Sequence, residues 1–226
     1  MTGQAVLEDD ELEDLIERID AQRAGRELLT RAARSGEPKQ KGARRLGSGD
    51  HVAVKTMAVV LTRPPGAGKS SVLDKLATLL EIEGVEFGAL ESEQFGWGSP
   101  WLYGEPWLRQ LRAVLELQRQ AGRRRFLIAA TTETTEELAA VRDAIAVDHV
   151  VSVLLGASAK AVAARIDARE PDAWPGKQRL IAHARHLAVS MRDLAGIDIR
   201  LDTDGREAVD VAAELRETLR HHGLAA

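Results

Sequence analysis

The sequence predicts an α/β fold, a parallel β-sheet covered by helices on both faces. Three observations carry that expectation. Short runs at residues 58–61, 126–130 and 149–155 are largely apolar, without the polar alternation of a half-exposed strand. Stretches with helical periodicity separate them. A glycine-rich turn directly follows the first run. Strands buried on both sides have this composition, and parallel strands need intervening helices to return the chain.

Composition bounds what such a domain does. Of 226 residues, 44% are hydrophobic and 29% charged, enough for a real core. The net charge of −4 gives no general reason to expect nucleic acid as a partner. Cysteine is absent, which excludes disulfides, thiolate metal sites and cysteine nucleophiles. No apolar run approaches the roughly 20 residues that cross a bilayer. The first 14 residues are acidic and lack the order of a secretory signal. The expectation is a cytoplasmic protein with no membrane partner.

The elements follow in order. Residues 8–34 read as an amphipathic helix with Leu12, Leu15, Ile16 and Ile19 on one stripe, extended by Leu28, Leu29 and Ala32. Residues 35–50, rich in glycine, lysine and arginine, read as a linker. Residues 1–50 are thus expected to form a helical arm plus linker, either solvated or used to dimerise or hold a partner. A domain spanning 51–226 follows. Within it, residues 52–62 are expected as strand, 69–83 as helix and 85–90 as strand. Next come helix 106–121, strand 126–130, helix 135–146 and strand 149–155. Helices 158–169 and 178–194 flank a loop holding Pro171, Trp174, Pro175 and Gly176. Strand 197–201 and helix 206–221 complete the chain.

The turn after the first strand carries the strongest chemistry. Pro65-Gly66-Ala67-Gly68-Lys69-Ser70-Ser71 lies between a buried strand and a helix start, the context of a phosphate-binding loop. Small residues at 66–68 let backbone N–H groups converge on anionic oxygens. The helix that follows offers unpaired N–H groups and roughly half a positive charge at its first turn. Lys69 is placed to reach the β- and γ-phosphates of ATP, and the Ser70 hydroxyl to ligate a Mg2+ ion. The loop pattern ordinarily begins with a glycine five residues before Gly68. Here Arg63 stands there, which puts catalytic activity in question. Pro64 biases residue 63 toward extended geometry, which arginine tolerates. The chain has no Asn-Lys-x-Asp guanine signature, so ATP is favoured over GTP.

With Pro65-Gly66-Ala67-Gly68-Lys69-Ser70 in register, the chain from about residue 57 onward resembles the nucleoside-monophosphate-kinase-like P-loop kinases. These include the shikimate, gluconate and adenylylsulfate kinases and the chloramphenicol phosphotransferases. The resemblance implies a three-layer sandwich around a five-stranded parallel sheet in the order 2-3-1-4-5, with a mobile lid before the last strand. It implies an acid after the second strand that orients the acceptor hydroxyl or holds magnesium. Glu91 or Glu93 fills that role; two apart on an extended segment, they would share a face. It implies lid arginines that stabilise charge on the transferring phosphoryl group. Arg165 and Arg169, four apart on a helix, are the candidates, with Arg179 beyond the loop. It also implies adenine contacts from the loop after the last strand, here between Thr203 and Arg206. No acid of the Walker B type follows residues 126–130, where Thr131, Thr132 and Glu133 stand; this favours a kinase over an ATP-driven machine.

Aromatic residues make up only 4% of the chain, yet Phe95, Trp97, Trp101, Tyr103 and Trp107 fall in one glycine- and proline-rich segment. Trp174 lies in the expected lid. Irregular segments of this kind carry binding, so an aromatic-lined pocket for a small acceptor is expected from Phe95, Trp97, Trp101, Tyr103 and Trp174. A satellite core beneath a long loop is the alternative. The acceptor itself is not specified. The sequence leads to an ATP- and Mg2+-dependent phosphotransferase; a nucleotide-binding regulator and an ATPase switch are the competing readings.

Overall fold

A computed structural model of the chain describes residues 55–223. The expected arm and linker at 1–50 lie outside the described residues. Five strands, β1 (Met57–Thr62), β2 (Gly88–Glu91), β3 (Arg125–Ala129), β4 (His149–Gly156) and β5 (Ile199–Asp202), form one sheet in the order β2-β3-β1-β4-β5. Every pairing is parallel; Val59 stands opposite Leu127 on one side and Val151 on the other. Among the described residues, six α-helices connect and cover the strands: α1 (Lys69–Ile82), α2 (Glu105–Gln120), α3 (Thr135–Ile145), α4 (Ala159–Arg169), α5 (Lys177–Ser190) and α6 (Ala208–His221). The expected α/β class and strand order hold.

The central strand explains the apolar runs. All six residues of β1 are buried, because successive side chains enter opposite layers. Met57, Val59 and Leu61 pack with Leu76 and Leu80 of α1 and Leu215 of α6. Ala58 and Val60 pack with Leu111 of α2 and Leu138 of α3. A third cluster joins Val162 and Ile166 of α4 to Ile181 and Ala184 of α5 beside Ala67 of the glycine loop.

Strand β2 starts three residues later than the apolar run predicts, and the helix stop is the reason. Gly84, at φ 71°, lets its own N–H reach Glu81 O at 3.0 Å while Val85 N–H reaches Leu80 O at 2.9 Å. These paired bonds are a Schellman closure of α1, so Val85 ends the helix and the strand begins only at Gly88. On the next layer, α3 begins with a side-chain cap: Glu137 N–H donates to Thr134 Oγ1 at 3.1 Å, and Glu133 N–H donates to Glu137 Oε2 at 2.7 Å. Among the described residues no helix is long and apolar enough to cross a membrane.

Candidate functional site

The glycine loop lies at the C-terminal edge of the sheet, where parallel α/β sheets hold ligands. Gly66 is required by space as well as by angle. At φ 83°, a Cβ there would lie 2.8 Å from Val162 O and 3.1 Å from Ile166 Cγ1. The loop is therefore pressed against α4. Gly68 enters α1 from the left-handed region, and α1 has no side-chain cap at its start. The first intrahelical bond to reach back into the loop is Val72 N–H to Gly68 O, at 2.9 Å. The N–H groups of Lys69, Ser70 and Ser71 precede it, and the hydroxyl-bearing Ser70 and Ser71 are exposed. Such an arrangement of donors suits an anion. Pro65 stands at the edge of an adjoining cavity.

Lys69 is 1% exposed, an extreme for an ammonium. Its Nζ donates to Glu93 Oε1 and, at 3.2 Å, to Thr131 Oγ1. The Thr131 hydroxyl donates to the same Glu93 oxygen. Burial lowers the Lys69 pKa from its ordinary value, with the neighbouring charge of Arg63 adding to it; Glu93 opposes both. For Glu93, burial acts to raise the pKa. The charge and hydrogen bond of Lys69, with help from Thr131 and Arg63, outweigh it and hold the carboxyl below its usual range.

Glu91 and Glu93 do not share an extended segment. A 3-10 turn at Ser92–Phe95 begins directly after β2, so the strand ends at Glu91 and Glu93 turns away toward Lys69. Glu91 instead accepts from Gln94 Nε2 at 3.5 Å. Two bonds fix the turn: Ser92 Oγ donates to Ala129 O at 2.9 Å in a buried contact, and Trp107 Nε1 donates to Ser92 O at 2.7 Å in a part-buried one.

Arg63 replaces a glycine without backbone strain. Among the described residues, Ala146 is the non-glycine with positive φ, so position 63 does not demand glycine's conformations. The guanidinium folds back, donating from Nη1 to Pro64 O at 2.8 Å, and leaves its buried Nε without a partner. Burial pushes its pKa down to about 10; Glu93 and Glu91 oppose the shift, and Arg169 and Arg165 add to it. Arg63 is thus a desolvated cation at the mouth of the loop.

The two lid candidates part ways. Arg165 Nη2 donates to Thr203 O at 2.6 Å, and its Nη1 donates to Thr203 Oγ1 at 3.0 Å and to Gly66 O at 3.4 Å. Thr203 Oγ1 in turn donates to Gly156 O at 3.0 Å. Arg165 therefore ties the glycine loop to the loop after β5. Arg169 is exposed and pairs with Glu170 at 2.6 Å. Lys177 Nζ bridges Asp167 at 3.0 Å and Asp172 at 2.6 Å, pinning the 170–176 loop across its base. Arg206 donates to Asp202 O at 3.2 Å and pairs with Glu214 at 2.6 Å. A cavity of about 280 Å³ beside this loop is lined by Asp202 and Asp204 together with Pro64 and Ser158, not by Thr203 or Arg206.

A larger cavity of about 500 Å³ opens from Pro65, Glu93 and Thr131. Trp101, Tyr103 and Trp107 line it, with Leu108, Ala140 and Val141. The Trp101 and Tyr103 rings lie 6.5 Å apart, tilted by 35°. Of the expected aromatics, Phe95 packs into the core beneath α2, Trp97 is 64% exposed and Trp174 packs over Gly176; none of the three is among the lining residues. Trp107, one of the clustered aromatics but not among the expected pocket residues, lines the cavity, as do Thr131, Glu133 and Glu137, to which the sequence assigned no binding role. Their signal was positional: Thr131 and Glu133 follow the end of β3, on the ligand-binding edge of a parallel sheet.

No model of a known protein family matches the sequence, and no curated protein matches it in sequence. Solved structures do match in shape. A sugar kinase from Janibacter sp. HTCC2649 is 20% identical, aligned over 76% of this chain and 99% of that one, with a TM-score of 0.53. The Mycobacterium tuberculosis APS kinase in complex with AMPPNP and APS is 20% identical over 74% and 98%, with a TM-score of 0.52. A tunicamycin resistance protein from Deinococcus radiodurans is 16% identical over 73% and 96%, with a TM-score of 0.51. The chain has the fold of P-loop small-molecule kinases.

Proposed function

We propose that the protein is an ATP- and Mg2+-dependent phosphotransferase acting on a small hydroxyl-bearing acceptor. One observation carries the reading. The carboxylate that holds the glycine-loop lysine is also a wall of the aromatic cavity, so the phosphate end and the acceptor end of the site meet at Glu93.

The donor set fits a nucleotide polyphosphate: helix-start N–H groups behind Gly68, a buried ammonium and a nearby desolvated guanidinium. Ser70 would hold a Mg2+ ion together with the phosphates, and that ion would supply charge neutralisation on the transferring group. Lys69 holds the β- and γ-phosphates and in doing so gives up Glu93. Freed from the ammonium that depresses its pKa, Glu93 becomes a better proton acceptor. It takes the proton of the acceptor hydroxyl as that oxygen bonds to the γ-phosphorus and the bond to the β-phosphate oxygen breaks. Arg169, exposed at the lid, is available to approach the γ-phosphate; Arg165 holds the loop in place. Positioning and charge neutralisation supply most of such a rate enhancement.

ADP release from ATP and Mg2+, measured with and without a panel of hydroxyl acceptors, tests the reading. Acceptor-dependent turnover is expected, and acceptor-independent hydrolysis would instead mark an ATPase switch. The buried charge of Arg63 favours one competing reading, a regulator that binds nucleotide without turning it over.

A further inference from the structure

The cavity beside Glu93 is unbalanced in charge. Its charged lining residues are Glu93, Glu133 and Glu137, and among the described residues no lysine or arginine lines it. Partners only partly offset these carboxylates. Glu93 is matched by Lys69 from behind. Glu133 Oε1 meets His183 Nε2 at 2.8 Å. Glu137, exposed on the first turn of α3, accepts from the Glu133 N–H at 2.7 Å, a neutral donor that leaves its negative charge in place. Trp101 and Tyr103, 43% and 75% exposed, line the same cavity.

Resting on the phosphotransferase reading of this same site, we infer that the acceptor is a ring-bodied hydroxyl compound carrying at least one protonated amine. About 500 Å³ suits a ligand of two or three rings. Its ring body packs on the aromatic faces, which attract cations as well as C–H surfaces. Its ammonium lies toward Glu133 and Glu137, and its reacting hydroxyl toward Glu93. An acceptor bearing a carboxylate or phosphate would enter against Glu133 and Glu137 without a lysine or arginine among the lining residues to receive it, and is disfavoured on that ground.

Binding to the full chain without nucleotide tests this independently of phosphoryl transfer. Calorimetry is run with kanamycin A against raffinose, an amine-bearing and a neutral compound of similar size, and with glucosamine against glucose and glucuronate. Each amine is expected to bind at least tenfold tighter than its neutral counterpart, with glucuronate the weakest. In the double variant Glu133→Gln, Glu137→Gln the preference should fall toward unity; glutamine still accepts the Glu133 N–H bond, so the α3 cap is retained, and circular dichroism confirms folding. Trp101→Ala should weaken the amine and neutral compounds alike. Equal or tighter binding of the neutral or acidic compounds overturns the inference, as does a preference unchanged in the double variant, or no binding by any of the five. Amines that bind selectively but are never phosphorylated would leave the inference standing and remove the kinase reading.

Discussion

Lys69 Nζ donates to Glu93 Oε1 from a site where the lysine is 1% exposed and the glutamate side chain 47% exposed. The pair joins the start of α1 to the turn after β2, and a nucleotide phosphate would compete with Glu93 for the same ammonium.

Glu93→Gln should therefore separate binding from chemistry. Breaking a wholly buried pair costs about 3–5 kcal/mol; with Glu93 half exposed, about 1–2 kcal/mol is expected. ATP affinity, followed by calorimetry, should rise several-fold because a competitor for Lys69 is weakened. Acceptor-dependent turnover should fall by about 10²–10⁴ if Glu93 takes the proton. The sign with pH follows from the lowered carboxyl pKa. The pair's stabilisation is present above the ordinary value of 4.5 and is lost as pH falls through the lower folded value. Acid unfolding of Glu93→Gln should accordingly be shallower below about pH 4.5.

Arg63→Met keeps the stem and removes the charge. Because the folded pKa of about 10 lies below the ordinary arginine value, charged Arg63 opposes folding at neutral pH, and that cost fades only as pH rises above about 10. The variant should be more stable at pH 7 by about 1–2 kcal/mol, read as a Tm raised by several degrees. Its further stabilisation by ATP should be smaller than wild type's, since phosphate no longer relieves a desolvated cation. A large gain in ATP affinity for Arg63→Gly would mean instead that the arginine obstructs the loop.

Arg165→Ala and Arg169→Ala should behave oppositely. Loss of Arg165 removes three bonds that link Gly66 to Thr203 and is expected to cost about 2 kcal/mol, weakening ATP binding with stability. Loss of Arg169 removes an exposed pair and should leave Tm within about 1 °C while lowering turnover. Thermal unfolding beside kinetics distinguishes the two.

Trp101→Ala should weaken acceptor binding at least several-fold without changing ATP affinity, whereas Trp97→Ala, outside the cavity lining, should change neither. Equal loss of both affinities in Trp101→Ala would point to a folding role for that loop.

Much of this molecule was written in local pattern. Apolar runs and helical periodicity set the order of strands and helices, because burial on one or both faces repeats at fixed spacing along the chain. The glycine loop was legible because its shape and its anion-suited donors depend on backbone geometry and on one adjacent lysine. Even the late start of β2 has a local cause, in Gly84 and Val85. What the sequence left open was which side chain meets which across the sheet edge. Lys69 and Glu93 are 24 residues apart, Lys69 and Thr131 are 62 apart, and Arg165 and Gly66 are 99 apart. Those meetings follow from strand order and from a single 3-10 turn that rotates Glu93 away from Glu91. The sign of charge around the cavity was likewise decided in three dimensions: Glu93, Glu133 and Glu137 converge only when β2 and β3 lie side by side.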